Sequence, residues 1–143
     1  AFSEGWALYA ERLALEVGLA ENPYDELGIL QSELFRSVRL VVDTGMHYKR
    51  WTREEAMDYM KSITGMSDTE VRVEIERYIV WPGQALSYKV GMIKMLELRE
   101  KAKQELGDQF NIKDFHSAVL DHGNPPLFIV EKMIDKMISD AKS

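Results

Sequence analysis

The segment EVRVEIERYIV, residues 70–80, decides the fold class. Val71, Val73 and Ile75 alternate with charged residues as on a half-buried strand. Val71, Ile75, Tyr78 and Ile79 also recur at the spacing of one helical face. The residues just before the segment favour the second reading. Ser67 stands three positions ahead of Glu70, the pattern in which a hydroxyl caps a free helical N–H and a carboxylate reaches back to the capping residue. A strand has no use for that arrangement, so the segment is read as helix, and almost the whole chain follows it.

Working outward, Thr52 and Glu55 repeat the capping pattern and open a short helix that ends near Gly65. A longer helix precedes it, from about Glu26 to His47, with Leu27, Leu30, Leu34, Val38 and Val41 on its apolar face. Before that, ENPYDE (21–26) reads as a polar turn around Pro23, following a first helix from about Ser3 to Leu19. Downstream, Pro82 breaks the chain and is read as the first residue of the longest helix, Pro82 to Leu106, closed by Gly107. A short helix at Ile112–Leu120 ends at Gly123. Pro126 opens the last helix, with Leu127, Val130, Ile134, Met137 and Ile138 facing inward. The expected fold is all-α, an irregular multi-helix bundle forming a single domain over residues 1–143.

Composition agrees with that class and excludes others. The chain has 143 residues, 45% of them apolar and 29% charged, with a formal net charge of -6, so one globular core is expected and nucleic acid is not a partner. It has no cysteine, which removes disulfides and thiolate metal sites. No apolar run is long enough to span a membrane. The chain opens directly in a helix with no signal peptide, which predicts that it was cut from a longer protein.

Three groups of polar residues interrupt otherwise apolar segments. The first lies in FSEGWALYAERLALE (2–16). Phe2, Trp6, Tyr9 and Leu13 share one helical face, while Glu4, Leu8, Glu11 and Leu15 share another and Ser3, Ala7, Ala10 and Ala14 form a stripe of small residues. A helix apolar nearly all round is a buried helix, so Glu4 and Glu11 each need a cation or a proton. The second is the row Arg36, Arg39, Asp43 and His47, one side of a continuous helix, in which Arg39 and Asp43 alone would be an ordinary i,i+4 ion pair. The third is RYIVWPGQALSYKVG (77–91), where Gln84, Tyr88 and Lys89 fall in the first turns of a helix whose N-terminus offers free N–H groups to an anion. There is no HExxH, no phosphate loop and no GxSxG. The three histidines are too widely spaced to form a metal cluster. His116 and His122 are given no role.

Four stretches together carry a family resemblance: FSEGWALYAERLALEVG, ELFRSVRLVVDTGMHYKRWTREEAMDYM, EVRVEIERYIVWPGQALSYKVG and FHSAVLDHGNPPLFIVE. In that order they resemble the C-terminal part of the bacterial domain-of-unknown-function family numbered eight hundred and eighty-five, over nearly the whole chain. Family members carry a His-Glu-x-x-Pro-Gly-His-His segment upstream, similar to zinc peptidases in which two histidines and a downstream glutamate hold the metal. The resemblance implies that Glu4 is the third zinc ligand, with Glu11 behind it or paired with an arginine. The chain would then be the C-terminal portion of a larger helical zinc-peptidase-like fold, carboxypeptidase-like and inactive alone. It implies an exported, periplasmic or lipid-anchored parent whose upstream histidine-containing half is the main partner and whose substrate is a peptide. Within that reading His47 and Tyr88 are expected to stabilise an oxyanion, and Arg77, Gln84 and Lys89 to bind substrate with Arg39 and Asp43 supporting them. An N-terminal helix cut from its cover predicts self-association through Glu4, Leu8, Glu11 and Leu15. The alternative is a non-catalytic interaction or scaffold domain whose polar residues are structural pairs.

Overall fold

The computed structural model describes residues 1–143. Seven helices follow one another with no strand: α1 (Phe2–Glu16), α2 (Pro23–His47), α3 (Arg53–Thr64), α4 (Asp68–Val80), α5 (Ser87–Leu106), α6 (Ile112–Leu120) and α7 (Leu127–Ala141). The deciding segment is helix α4. Ser67 and Glu70 make both halves of the capping box, as do Thr52 and Glu55 ahead of α3. Val71, Ile75 and Tyr78 are buried, whereas Val73, the residue only a strand would have placed with them, is 56% exposed.

Three boundaries differ from expectation: α1 ends at Glu16 and not Leu19, and the starts of α2 and α5 are shifted. Helix α2 starts at Pro23, because the Asn22 side chain accepts from the N–H groups of Tyr24 and Asp25, and proline suits a position whose N–H needs no partner. At 25 residues α2, not the helix after Pro82, is the longest. Pro82 opens no helix, because Gly83 takes a left-handed conformation (φ 81°) ahead of a 3₁₀ turn at Gln84–Leu86, and α5 begins only at Ser87. The inward face of α2 is also rotated from the expected one. Val38 and Val42 are buried, but Leu27, Leu30, Leu34 and Val41 are exposed, because the buried side of α2 carries Arg39 and Asp43 instead.

Buried side chains gather into two clusters. One joins α1, α5, α6 and α7 through residues such as Leu8, Tyr9, Met95, Phe115 and Ile134. The other joins α2, α3, α4 and the 3₁₀ turn through Val42, Met60, Ile75, Tyr78 and Ala85. Helix α1 packs along α5 at unusually close range. A Cβ on Gly5 would stand 2.4 Å from the Gly91 Cα and 2.8 Å from the Met92 nitrogen. The stripe expected to allow close approach does not do so: Ser3 and Ala7 face solvent. Nor is α1 buried all round: on the Glu4 face Leu8 is 2% exposed, while Glu4, Glu11 and Leu15 are half-buried.

His116, given no role above, joins α6 to α1. The Tyr9 hydroxyl and His116 Nε2 are 2.8 Å apart, and the Trp6 ring meets the imidazole edge-on. Burial, reinforced by the Arg99 guanidinium and opposed by Glu16, pushes His116 below its ordinary value of 6.5. The folded state therefore binds the proton less readily than the unfolded one. That contribution to stability is complete above about pH 6.5 and is lost as pH falls through the folded value. Thermal melts between pH 7 and pH 5 should show a steeper acid loss for the wild type than for His116→Gln. Parallel curves would remove His116 as the cause.

Candidate functional site

Helix α2 runs unbroken past Gly45, which is small because the Trp51 indole occupies the space where a Cβ would stand. It carries Arg36, Arg39 and Asp43 on successive turns toward α4 and α5. Arg39 and Asp43 are each 2% exposed, yet they are not the expected i,i+4 pair. Both reach across to the turn after Pro82. Arg39 Nη2 donates to Gln84 Oε1 at 3.1 Å. The Gly83 N–H donates to both Asp43 oxygens, at 3.0 and 3.2 Å. The free N–H expected to receive an external anion is thus already taken by an internal carboxylate, and the helix proper starts four residues later.

Helix α4 supplies the next layer. Arg77 Nη2 pairs with Glu74 at 2.6 Å, its Nη1 donates to Gln84 Oε1 at 3.3 Å, and the Tyr78 hydroxyl donates to Glu74. Burial alone would raise the Glu74 carboxyl, but the Tyr78 hydroxyl and the Arg77 guanidinium outweigh it and hold the group below the usual range. Burial and the Glu74 anion push the Tyr78 phenol well above its ordinary value. From α5, the Tyr88 ring lies 4.4 Å from the Arg39 guanidinium and 5.5 Å from that of Arg36, measured to the ring centroid.

The structure thus brings together Arg39, Asp43, Arg77, Gln84 and Tyr88 at the junction of α2, α4 and α5. Others stand apart from this network. Lys89 pairs with Glu33 at 2.5 Å. His47, exposed at the end of α2, holds its Nε2 3.0 Å from the Tyr78 carbonyl oxygen and ties α2 to α4. Glu11 accepts from the Ser32 hydroxyl at 2.9 Å. Glu4 is half-buried and makes no hydrogen bond or ion pair within the chain. No three His, Asp or Glu side chains are grouped so as to hold a metal ion. A zinc site needs three protein ligands, and the residues of this chain do not by themselves fit that requirement. Glu74, Tyr78 and Gly83 were not singled out as site residues. The Pro82-Gly83 dipeptide was the available signal for the turn.

The fold and this junction define an all-α domain with an arginine- and tyrosine-rich polar cluster between its helices. The chain belongs to the family described as bacterial protein of unknown function (DUF885), whose model matches residues 1–134. It is similar to a crystal structure of a "putative lipoprotein" from Colwellia psychrerythraea, with 54% identity and a TM-score of 0.94. The match covers 96% of this chain and 24% of that one, so the chain spans about a quarter of that relative's length. No functionally curated protein matches it.

Proposed function

We propose that the chain is the C-terminal helical part of a zinc-dependent, carboxypeptidase-like enzyme, to which it contributes Glu4 as a metal ligand. The observation that carries this reading is Glu4 itself. It is a half-buried carboxylate on a helix held by close backbone packing, with no cationic or hydrogen-bonding partner in the chain. A carboxylate without a partner in its own chain is free to ligate a cation. The histidines that would complete the donor set belong, by the family resemblance, to a segment N-terminal to this one. Zinc there would polarise a scissile carbonyl and acidify a bound water.

The chain's own residues take supporting parts. The Tyr88 hydroxyl has no protein partner and is free to steady an oxyanion. Gln84 and Arg39 fix the wall around it. His47 would have to leave the Tyr78 carbonyl to act on substrate, and Arg77 and Lys89 would have to leave Glu74 and Glu33. The description of the Colwellia relative favours an exported or lipid-anchored parent. No helix of this chain is long and apolar enough to cross a membrane.

Elemental analysis tests the reading. The full-length protein should hold one zinc per chain, and Glu4→Gln should lose most of it with its helical content intact. Equal zinc in both proteins would remove Glu4 from the site. A second reading, a non-catalytic scaffold, draws support from the internal bonds of Asp43, His47, Arg77 and Lys89. It requires a full-length protein without stoichiometric zinc.

A further inference from the structure

Helix α2 turns one whole side away from the rest of the chain. Leu27, Leu30, Leu34, Ser37, Val41 and Thr44 follow one another along it at alternating steps of three and four residues. That is the spacing with which one helix lies along another. Yet no element of the chain covers this row, and its three leucines and Val41 are 36–51% exposed. Single exposed apolar residues are ordinary, whereas a continuous row of them marks a surface that another surface covers. At the rise of an α-helix the row is roughly 25 Å long.

The row is also fit to lose its water. It carries no charged side chain. Its two hydroxyls are spent on α2 itself: Ser37 donates to the Glu33 carbonyl at 2.9 Å, and Thr44 to those of Leu40 and Val41 at 2.6 and 3.2 Å. Glu33, on the edge of the row, is held by Lys89 and Arg12. Covering the row therefore strands no hydroxyl donor and no unpaired charge on it. Two recesses open along it. One, of about 570 Å³, lies between α2 and α1 and has Leu15, Leu30 and Leu34 on its walls. The other, of about 430 Å³, opens toward α5 beside Val41, Leu86 and Val90. Side chains of a facing helix enter holes of this kind.

We infer that this row seats a helix of the same polypeptide from outside residues 1–143, packed lengthwise on α2. The Colwellia relative matches 96% of this chain but only 24% of its own length, so the greater part of that protein lies outside the match. A segment joined to the row through the backbone meets it at an effective concentration on the order of millimolar, which a second copy rarely reaches. The covered row follows from α2 alone. Its assignment to the same polypeptide rests on the reading above that the chain is part of a longer one.

The test is thiol labelling of the full-length protein. This chain has no cysteine of its own, so Leu30→Cys and Val41→Cys each place one reporter in the row, followed by mass spectrometry of the peptide that carries it. Each should be alkylated at least about tenfold more slowly in the native protein than in urea, at every protein concentration. A photoreactive residue in place of Leu34 should cross-link within one chain, to a segment outside residues 1–143. Labelling as fast as in urea would leave the row open to solvent and overturn the inference. Protection that grows with protein concentration, or a cross-link joining two chains, would put a second copy on the row and overturn it as well. Zinc content of the same samples separates this from the enzyme reading. Protected thiols in a protein without zinc would leave the covered row standing and remove the enzyme, and open thiols in a zinc-holding protein would do the reverse.

Discussion

Asp43→Ala should lower the free energy of unfolding by about 3 kcal/mol or more, read as a shifted midpoint in chemical denaturation. Asp43 is 2% exposed and both its oxygens receive the Gly83 N–H. Gly83 holds a left-handed φ of 81° at the point where the chain turns from α4 into α5. Removing the carboxylate leaves that N–H without its acceptor. It also takes away the negative charge one helical turn from Arg39, which is equally buried and pairs with no carboxylate. Asp43→Asn keeps an acceptor and loses the charge, so it should fall between Ala and wild type. If Asp43→Ala unfolds within about 0.5 kcal/mol of wild type, the range of an ordinary surface substitution, the link to Gly83 is not what holds the turn.

The second large effect is expected at Gly5. Its missing Cβ would meet three backbone atoms of α5, the Gly91 Cα and C and the Met92 nitrogen, all within 2.8 Å. Backbone cannot swing aside as a side-chain tip can, so Gly5→Ala must push α1 away from α5 and open the packing around Leu8 and Tyr9. Overpacking of this kind costs about 1–3 kcal/mol and occasionally more. The better helix propensity of alanine offsets about 1 kcal/mol of it, leaving a net loss of up to about 2 kcal/mol. Gly28 provides the control, since it lies on the exposed side of α2 with nothing near its absent Cβ. Gly28→Ala should stabilise by up to about 1 kcal/mol. The same sign of change at both glycines would show that propensity, not the α1–α5 approach, governs Gly5.

Local signals in the sequence were sufficient for most helices, and their limits are physical. The capping residues Ser67 and Glu70 resolved α4 because a capping box involves only neighbours along the chain. Pro23 and Pro82 were harder, because proline both starts helices and stops them. Asn22 decided the first case and Gly83 the second. The leucine stripe of α2 was legible as amphipathic but not as exposed, since nothing in a helix's own sequence says which side its neighbours occupy. The junction was legible in the same partial way. Polar residues inside apolar stretches picked out Arg39, Asp43, Gln84 and Tyr88. Their partners, Gly83 for Asp43 and Gln84 for both Arg39 and Arg77, are distant or local choices that only the packed chain makes.

The separation of the two clusters has a consequence for how the chain is made. Val38 to Ala85, which holds every buried member of the second cluster, is one contiguous stretch whose contacts close early during synthesis. Helix α1 emerges before that stretch, yet its main partner α5 lies beyond it. Phe2, Leu8 and Tyr9 therefore wait for their contacts with α5 while α2, α3 and α4 fold in between. The α1–α5 packing is among the last contacts of these residues to close.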